Sequence, residues 1–408
     1  MAVSPARSIS NMLRIIWLLL PLLRHCDGLV AAPSPRSVLV VGGSGRVGAS
    51  TVRWLHKLAT KEALPLSLAI GGRRRDSFDA AAERLRGLGV SPVEFVPLDL
   101  EDPTTLAAAV AGRSLVVHTA GPFQQREDPV LLQACIDQGV PYCDVCDELL
   151  LSRNGKALSA QAEAAQVPAV LSCGIWPGAS ALMAAEAVAK LGGVGSCERL
   201  EFSFFTAGTG GAGPTIVSAT FLLLCTPVVT YADGRMVELE PWTERRVADF
   251  GGGIGERECY LLDNPDVPTC AEALGVRSVS SRFGTAPTFW NSLFGGMKLL
   301  PRSLLSDRDK MQAFSVFSMP IIRTVDALIG GTNAMRVDAY AANGTSVTLR
   351  VAHEDLEQCV GQATAAFGLE LLRGGRVAPG CWFPAELPQD ARDSILGLVR
   401  EDAFVWEV

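Results

Sequence analysis

Residues 37–48 read Ser37-Val-Leu-Val-Val-Gly-Gly-Ser-Gly-Arg-Val-Gly48. An apolar run from Val38 to Val41 leads into the spacing Gly43-x-Gly45-x-x-Gly48, and apolar residues then recur at helical spacing through Leu58. This order predicts a strand, a tight turn and a helix whose unpaired N–H groups can bind an anion. The stretch therefore indicates a dinucleotide-binding unit, with an ordinary turn as the competing explanation. The residues expected to contact the cofactor here are Gly43, Ser44, Gly45, Arg46, Val47 and Gly48.

The second apolar run, Leu66 to Ile70, ends at Gly71-Gly-Arg-Arg-Arg75. In a dinucleotide-binding fold the end of the second strand reaches the adenosine ribose. An acidic residue there would bind a free 2′-hydroxyl, whereas arginines accommodate a 2′-phosphate. Arg73 and Arg74 therefore favour NADP over NAD, although a solvated basic loop would have the same composition.

The next two strands supply further candidates for the cofactor site. Val93 to Leu98 precedes Asp99, which could bind the adenine amino group or cap the helix that follows. Leu115 to His118 precedes Thr119, Ala120 and Gly121, small residues that let the backbone approach the nicotinamide.

The chain as a whole predicts an α/β protein. Strands and helices alternate up to about residue 180, including one long helix over 149–166, which predicts a Rossmann-type doubly wound parallel sheet. The rhythm then changes, and Asn343-Gly344 predicts an antiparallel hairpin. We therefore expect a dinucleotide-binding domain over 37–180 and a mixed-sheet α+β domain over 181–353, for substrate binding or dimerisation. The segment 354–408 begins with a long amphipathic helix.

Residues 1–36 differ from the rest of the chain. They contain four arginines and one acidic residue around a nine-residue apolar run, Ile15 to Leu23. The run is too short to span a bilayer but suits the core of a signal peptide. We expect a cleavable leader, either secretory or the first part of a bipartite plastid-type address, with an uncleaved anchor as the alternative. No transmembrane span is expected in the mature chain, although membrane association stays open.

Composition narrows the class of partner. The net charge of −7 argues against nucleic acid. The 11 cysteines are scattered, and Cys143 and Cys146 form a Cys-x-x-Cys spacing with no second pair, so no metal site is expected. Reduced thiols and a redox-active dithiol both remain open for this pair.

Several of these stretches together resemble the saccharopine dehydrogenase-like oxidoreductases. They are Val40-Val-Gly-Gly-Ser-Gly-Arg-Val-Gly48, the arginines at 73–75, Val116-Val-His-Thr-Ala-Gly-Pro-Phe123, Tyr142-Cys-Asp-Val-Cys-Asp-Glu148 and Pro379-Gly-Cys-Trp-Phe-Pro384. The resemblance implies NAD(P)-linked chemistry and a C-terminal segment, 354–408, whose helices return to the dinucleotide-binding domain. Cys146 and Asp147 depart from the small residue and glycine expected before Glu148.

Three residues near the strand ends are candidates for catalysis. His118 could donate or accept a proton near neutral pH, and a core histidine is the alternative. Asp147 and Glu148 could orient an amine or relay a proton, and helix capping is the alternative. The sequence thus favours an NADP-dependent oxidoreductase acting on a small carbonyl, imine or enoyl substrate. A non-catalytic NADP-binding protein, redox-sensing or membrane-associated, is the second hypothesis.

Overall fold

The computed structural model describes residues 34–121, 123, 125–208 and 213–408. Its strands, in chain order, are β1 (Arg36–Val41), β2 (Leu66–Gly72), β3 (Val93–Pro97), β4 (Leu115–His118), β5 (Tyr142–Asp144), β6 (Pro168–Val170), β7 (Arg199–Ala207), β8 (Val228–Ala232), β9 (Arg235–Leu239), β10 (Arg246–Asp249), β11 (Glu256–Leu261), β12 (Ser278–Ala286), β13 (Thr332–Tyr340), β14 (Ser346–His353), β15 (Gly380–Trp382) and β16 (Val405–Glu407).

Helices alternate with strands in the first half of the chain, whereas in the second half β8 to β11 follow one another without a helix between them. In chain order they are α1 (Arg46–Lys61), α2 (Arg75–Gly87), α3 (Pro103–Val110), α4 (Val130–Asp137), α5 (Leu149–Lys156), α6 (Ser159–Ala164), α7 (Ala179–Lys190), α8 (Pro214–Leu223), α9 (Asp266–Leu274), α10 (Phe289–Met297), α11 (Arg302–Leu305), α12 (Arg308–Ile329), α13 (Leu356–Arg373) and α14 (Gln389–Val399).

The first sheet has the strand order β15-β6-β5-β4-β1-β2-β3, and its described pairs are parallel. Alternate side chains of each strand enter different cores. Val38 and Val40 of β1 pack on the side of α1 and α13, whereas Leu39 and Val41 pack on the side of α3 and α4. Helices on both faces of a parallel sheet confirm the predicted Rossmann-type architecture.

The second sheet is mixed. Its main path runs β10-β11-β12-β7-β13-β14-β16, with β8 paired to β12 and β9 paired to β8. The β7–β12 pair is parallel, whereas β7–β13 and the β13–β14 hairpin are antiparallel. This sheet confirms the α+β character predicted for the second half of the chain.

The C-terminal segment contacts both sheets. Helix α13 packs against α1, and β15 pairs with β6 in the first sheet, whereas β16 pairs with β14 in the second. Residues Arg36–Val408 form one compact unit. The division into domains at 180 and 353 stays a prediction, and residues 1–33 of the predicted leader lie outside the described part of the chain.

One predicted helix is in fact two. The expected helix over 149–166 is interrupted at Ala157 and Leu158, between α5 and α6. The hydroxyl of Ser159, at the start of α6, accepts a hydrogen bond from the N–H of Cys381 in β15 at 3.0 Å. The break thus places α6 against a strand contributed by a segment more than 200 residues away.

Candidate cofactor and active site

Close packing around the turn between β1 and α1 leaves no room for a side chain at Gly42 or Gly48. Gly42 has a φ of +80°, and a Cβ atom on it would lie 2.7 Å from the Cα atom of Ala120. A Cβ atom on Gly48 would lie 2.3 Å from the Gly42 carbonyl oxygen and 2.6 Å from the hydroxyl oxygen of Thr119. The small residues after β4 therefore pack directly on the glycine turn. The glycine with a left-handed backbone conformation is Gly42, one residue before Gly43, where the predicted glycine spacing begins.

Helix α1 begins at the open side of this turn. Gly45 is its N-cap, no side chain caps the helix, and its first turn contains no acidic residue. The N–H groups of the first turn lack partners within the helix and carry the positive end of the helix dipole. This end of α1 is therefore suited to bind a pyrophosphate.

Arg46, the first residue of α1, forms an ion pair with Glu357 near the start of α13. The Nε atom lies 2.5 Å from a Glu357 carboxylate oxygen. The Glu357 side chain is buried, and this burial raises its pKa while the charge of Arg46 opposes the rise. The pair holds α1 and α13 together at the rim of the cofactor site and keeps a guanidinium beside the helix N-terminus.

An open cavity of about 270 Å³ lies at this edge of the first sheet. It is lined by Gly45 to Gly48, Thr119 and Gly121, and by Asp147. Trp176 and Glu357, from elements outside this edge of the sheet, also line the cavity. The cavity thus runs from the glycine turn, past the ends of β4 and β5, to elements that pack on the second sheet. A crevice at the carboxyl ends of parallel strands is the usual ligand site of this architecture.

The arginines after β2 are exposed and lie at the predicted position. Arg74 is the N-cap residue of α2, and neither it nor Arg73 contacts a carboxylate among the described residues. Arg75 instead pairs with Asp79 at 2.9 Å. Arg84, which the sequence reasoning missed, lies 3.5 Å from the carbonyl oxygen of Ser44 through its Nη2 atom. The guanidinium groups of Arg73 and Arg74 are therefore available to a phosphate.

Asp99 has a local role in the loop after β3. Its carboxylate accepts a hydrogen bond from the N–H of Glu101 at 3.2 Å, whereas Asp102 caps α3 by accepting from the N–H of Thr104. The predicted contact of Asp99 with adenine stays a prediction.

His118 does not line the main cavity. Its side chain borders a separate cavity of about 40 Å³ beside α4, and its Nδ1 atom lies 3.0 Å from the Tyr142 hydroxyl. Burial, together with the charge of Arg126, lowers the pKa of His118 to about 4. The imidazole is thus neutral at physiological pH, and its placement favours the core-histidine alternative over the catalytic prediction.

Asp147 lies in the main cavity and Glu148 does not. Glu148 is the N-cap residue of α5 without a side-chain capping bond, and burial raises its pKa. Of the three catalytic candidates, Asp147 is therefore the one that lines the main cavity together with Gly45 to Gly48, Thr119 and Gly121, whereas Ala120 borders the smaller cavity with His118. The catalytic roles of all three stay predictions.

Cys143 and Cys146 are both buried as free thiols. Burial, reinforced by the charge of Asp144, raises the pKa of Cys146 well above its ordinary value. A thiol with a raised pKa is a poor nucleophile at neutral pH, so this environment favours the alternative of reduced, unreactive thiols.

Trp176 and Glu357 are cavity residues that the sequence reasoning missed. The Trp176 indole N–H donates to the Asn333 side chain at 3.1 Å, and the ring stacks on Phe204 with centroids 5.0 Å apart. Its flanking glycines, Gly174 and Gly178, form a tight loop, because a Cβ atom on Gly178 would lie 2.2 Å from the Gly174 carbonyl oxygen. The motif Gly174-Ile-Trp-Pro-Gly178 was the one signal in the sequence that could have indicated this wall.

Within the described ranges, no group of three or more histidine, cysteine or acidic side chains is arranged to hold a metal ion. The same residues include no helix that is both long and apolar enough to cross a bilayer.

The comparisons with known proteins agree with this geometry. Residues 38–170 match the family described as saccharopine dehydrogenase NADP binding domain. No curated protein sequence matches the chain. Among solved structures, the apo histidine-tagged saccharopine dehydrogenase (L-Glu forming) from Saccharomyces cerevisiae aligns with a TM-score of 0.63 at 15% identity, over 90% of this chain and 97% of that one.

Two further solved structures align over a smaller share. Pen from Bacillus thuringiensis has a TM-score of 0.28 at 14% identity, over 33% of this chain and 48% of that one. An isoflavone reductase has a TM-score of 0.26 at 16% identity, over 34% and 49%.

The match over residues 38–170 thus confirms the predicted resemblance to the saccharopine dehydrogenase-like family and the predicted cofactor, NADP. The described residues fit this cofactor. The glycine turn admits no Cβ atom at Gly48, the first turn of α1 offers uncapped N–H groups, and Arg73 and Arg74 are exposed beside the end of β2.

Proposed function

We propose that the protein is an NADP(H)-dependent oxidoreductase that transfers a hydride to or from a small carbonyl, imine or enoyl substrate. The observation that carries the proposal is the open cavity that joins the glycine turn to the wall formed by Trp176. This cavity lies at the edge of the sheet that the nicotinamide end of a dinucleotide would reach, so a substrate bound there would meet the reactive end of the cofactor. NADPH, when bound, supplies the hydride, so the protein has to provide binding, orientation and a proton.

The residues of the cavity suit these three tasks. The N-terminus of α1 and Arg46 bind and orient the anionic cofactor, and the ion pair with Glu357 fixes the position of that arginine. The apolar surfaces of Trp176 and Ile175 exclude water from the part of the cavity that they line. We assign to Asp147 the role of holding or moving a proton at the substrate; this is supported by its position in the cavity, after β5 at the same edge.

Kinetics of single variants test the assignment. Asp147→Asn should lower kcat by about 10²–10⁴-fold, the range for loss of a general acid or base, and leave the affinity for NADPH unchanged. His118→Gln and Glu148→Gln should have smaller effects, because neither side chain lines the main cavity. Asp137→Asn, at an exposed position on α4, is the matched control. Equal turnover in wild type and Asp147→Asn would remove Asp147 from the mechanism.

A second candidate function is a non-catalytic NADP-binding protein that associates with a membrane or another protein. It is favoured by the strongly exposed apolar side chains of α12 and of the loop after α10, such as Phe317 (76% exposed) and Leu299 (88% exposed). NADPH binding without turnover of any aldehyde, imine or enoyl compound in a broad panel would favour this candidate. Compartment and homodimer formation stay predictions alongside both candidates.

A further inference from the structure

A second cavity of about 130 Å³ lies between the second sheet and the helices that cover it. Strands β7 and β12 form its floor, and α8, α10 and α12 form its walls. Its described lining contains no charged side chain. Aromatic and aliphatic groups dominate it, among them Phe221, Phe283, Phe294 and Met297.

The hydroxyl groups on the lining already have partners within the protein. Thr220 donates to the carbonyl oxygen of Ile216 at 3.1 Å, and Ser318 donates to that of Phe314 at 2.7 Å. Thr285 lies within 3.3 Å of the Gly208 carbonyl oxygen. Because the protons of these hydroxyls are already donated to backbone carbonyl groups, the hydroxyls can offer a ligand an acceptor but no free donor. A carboxylate or an ammonium group would lose its hydration here without gaining a partner of opposite charge.

Three residues, Trp176, Ile216 and Leu356, line both this cavity and the main one. The two cavities therefore adjoin across a shared wall. Trp176 is held in place on that wall by its hydrogen bond to Asn333 and its stacking on Phe204. A substrate with its reactive group beside Asp147 would reach the apolar space by passing along these three shared side chains.

From this geometry we propose that the second cavity binds the apolar tail of the substrate, an unbranched or isoprenoid-like hydrocarbon chain of at least five or six carbons. The inference rests on the proposed oxidoreductase function for the placement of the reactive group. The volume is close to the roughly 150 Å³ apolar cavity that holds a benzene molecule, so a chain of five or six carbons fills the cavity. The mouth of the cavity is itself apolar, because Leu293 and Phe314 line it and are 48% and 43% exposed.

Chain-length dependence tests the proposal in two separate assays on the full-length chain loaded with NADP(H). The first measures binding of 1-butanol, 1-hexanol, 1-octanol and 1-decanol by calorimetry. The second measures NADPH oxidation with butanal, hexanal, octanal and decanal at 340 nm. Affinity should rise by about fourfold per methylene group until the cavity is filled, as expected for burial of CH₂ groups. An affinity that is flat from butanol to decanol overturns the proposal.

A matched pair of variants adds one negative charge at the mouth of the second cavity or outside its lining. Leu293→Asp should lower the affinity for 1-octanol at least tenfold, whereas Leu299→Asp, on the exposed loop after α10 and outside the cavity lining, should leave it unchanged. Both variants should keep the wild-type affinity for NADPH. Equal octanol affinities in the two variants overturn the proposal.

The two assays separate the tail site from the proposed function. Chain-dependent binding of the alcohols without turnover of any aldehyde supports the tail site and counts against carbonyl reduction. Turnover of aldehydes with no dependence of KM on chain length supports the proposed function and overturns the tail site.

Discussion

Replacing Gly48 by alanine tests whether close packing of α1 on the glycine turn determines the cofactor site. The added methyl group would lie 2.3 Å from the Gly42 carbonyl oxygen and 2.6 Å from both the Cα atom of Gly43 and the hydroxyl oxygen of Thr119. Two of these atoms belong to the backbone, so the contacts are relieved only if the turn or the helix moves. Gly48 already has a helical conformation, so the substitution introduces no backbone strain of its own.

The size of the effect follows from two opposing contributions. Alanine stabilises a helix by at most about 1 kcal/mol relative to glycine. Overpacking a well-packed site costs about 1–3 kcal/mol, and contacts with backbone atoms belong at the upper end. We therefore expect a net loss of about 2 kcal/mol in the free energy of unfolding. Displacement of the first-turn N–H groups should also weaken NADPH binding at least about tenfold, or about 1.4 kcal/mol.

Urea unfolding followed by circular dichroism and titration with NADPH measure the two effects. Gly397→Ala in α14 is the matched control, because no atom lies within 4 Å of the methyl group that it adds. The control should gain up to about 1 kcal/mol of stability and bind NADPH like the wild type. If Gly48→Ala has the stability and the NADPH affinity of the wild type, the packing argument is wrong.

Three further predictions concern the ribose end of the site, the helix interface and pH. The double variant Arg73→Ala/Arg74→Ala should lose most of an at least roughly tenfold preference for NADPH over NADH in calorimetry, whereas Arg86→Ala, at the far end of α2, should keep it. Gly361→Ala should destabilise the fold by about 1–3 kcal/mol in urea, because its methyl group would lie 2.7 Å from a backbone carbon of α1; wild-type stability would contradict this. Burial raises the pKa of Asp266 from 3.8 to about 7, so the folded state keeps the proton that the unfolded state has lost. As the pH rises from about 4 to about 7, the wild type should therefore lose up to about 4 kcal/mol relative to Asp266→Asn, with no further change above pH 7; a difference that is constant from pH 4 to 8 would refute the assignment.

The first sheet could be predicted from the sequence because its determinants are local. An apolar run, a glycine spacing and a helical period lie within about 25 residues of one another at β1 and α1. The break between α5 and α6 could not be predicted in this way. It coincides with a hydrogen bond between Ser159 and Cys381, which are 222 positions apart in the sequence and therefore share no local pattern.

His118 shows what a closer reading of strand periodicity could have added. Successive side chains of a strand point to opposite faces of the sheet. Val117 belongs to the core on the side of α1, whereas His118 borders a cavity beside α4. The end of β4 does reach the cofactor edge, but it brings Thr119 and Gly121 there and directs the imidazole to the opposite face. Proximity in sequence to a binding edge is thus weaker evidence for a catalytic role than the side of the sheet that a residue occupies.

Two cavity residues, Glu357 and Trp176, are held by contacts between residues far apart in the sequence, which no local pattern could indicate. Glu357 reaches Arg46 across 311 positions, and Trp176 reaches Asn333 across 157. The loop that carries Trp176 leads into α7, where the Ser180 hydroxyl donates to the buried carboxyl group of Asp266. Because the loop that carries Trp176 lines both cavities, the two proposals together predict that a change in its position would alter reactivity and tail recognition together. Under these proposals, substrate selectivity depends on how Asn333 and Phe204 of the second sheet hold Trp176, and the glycine turn alone cannot determine it.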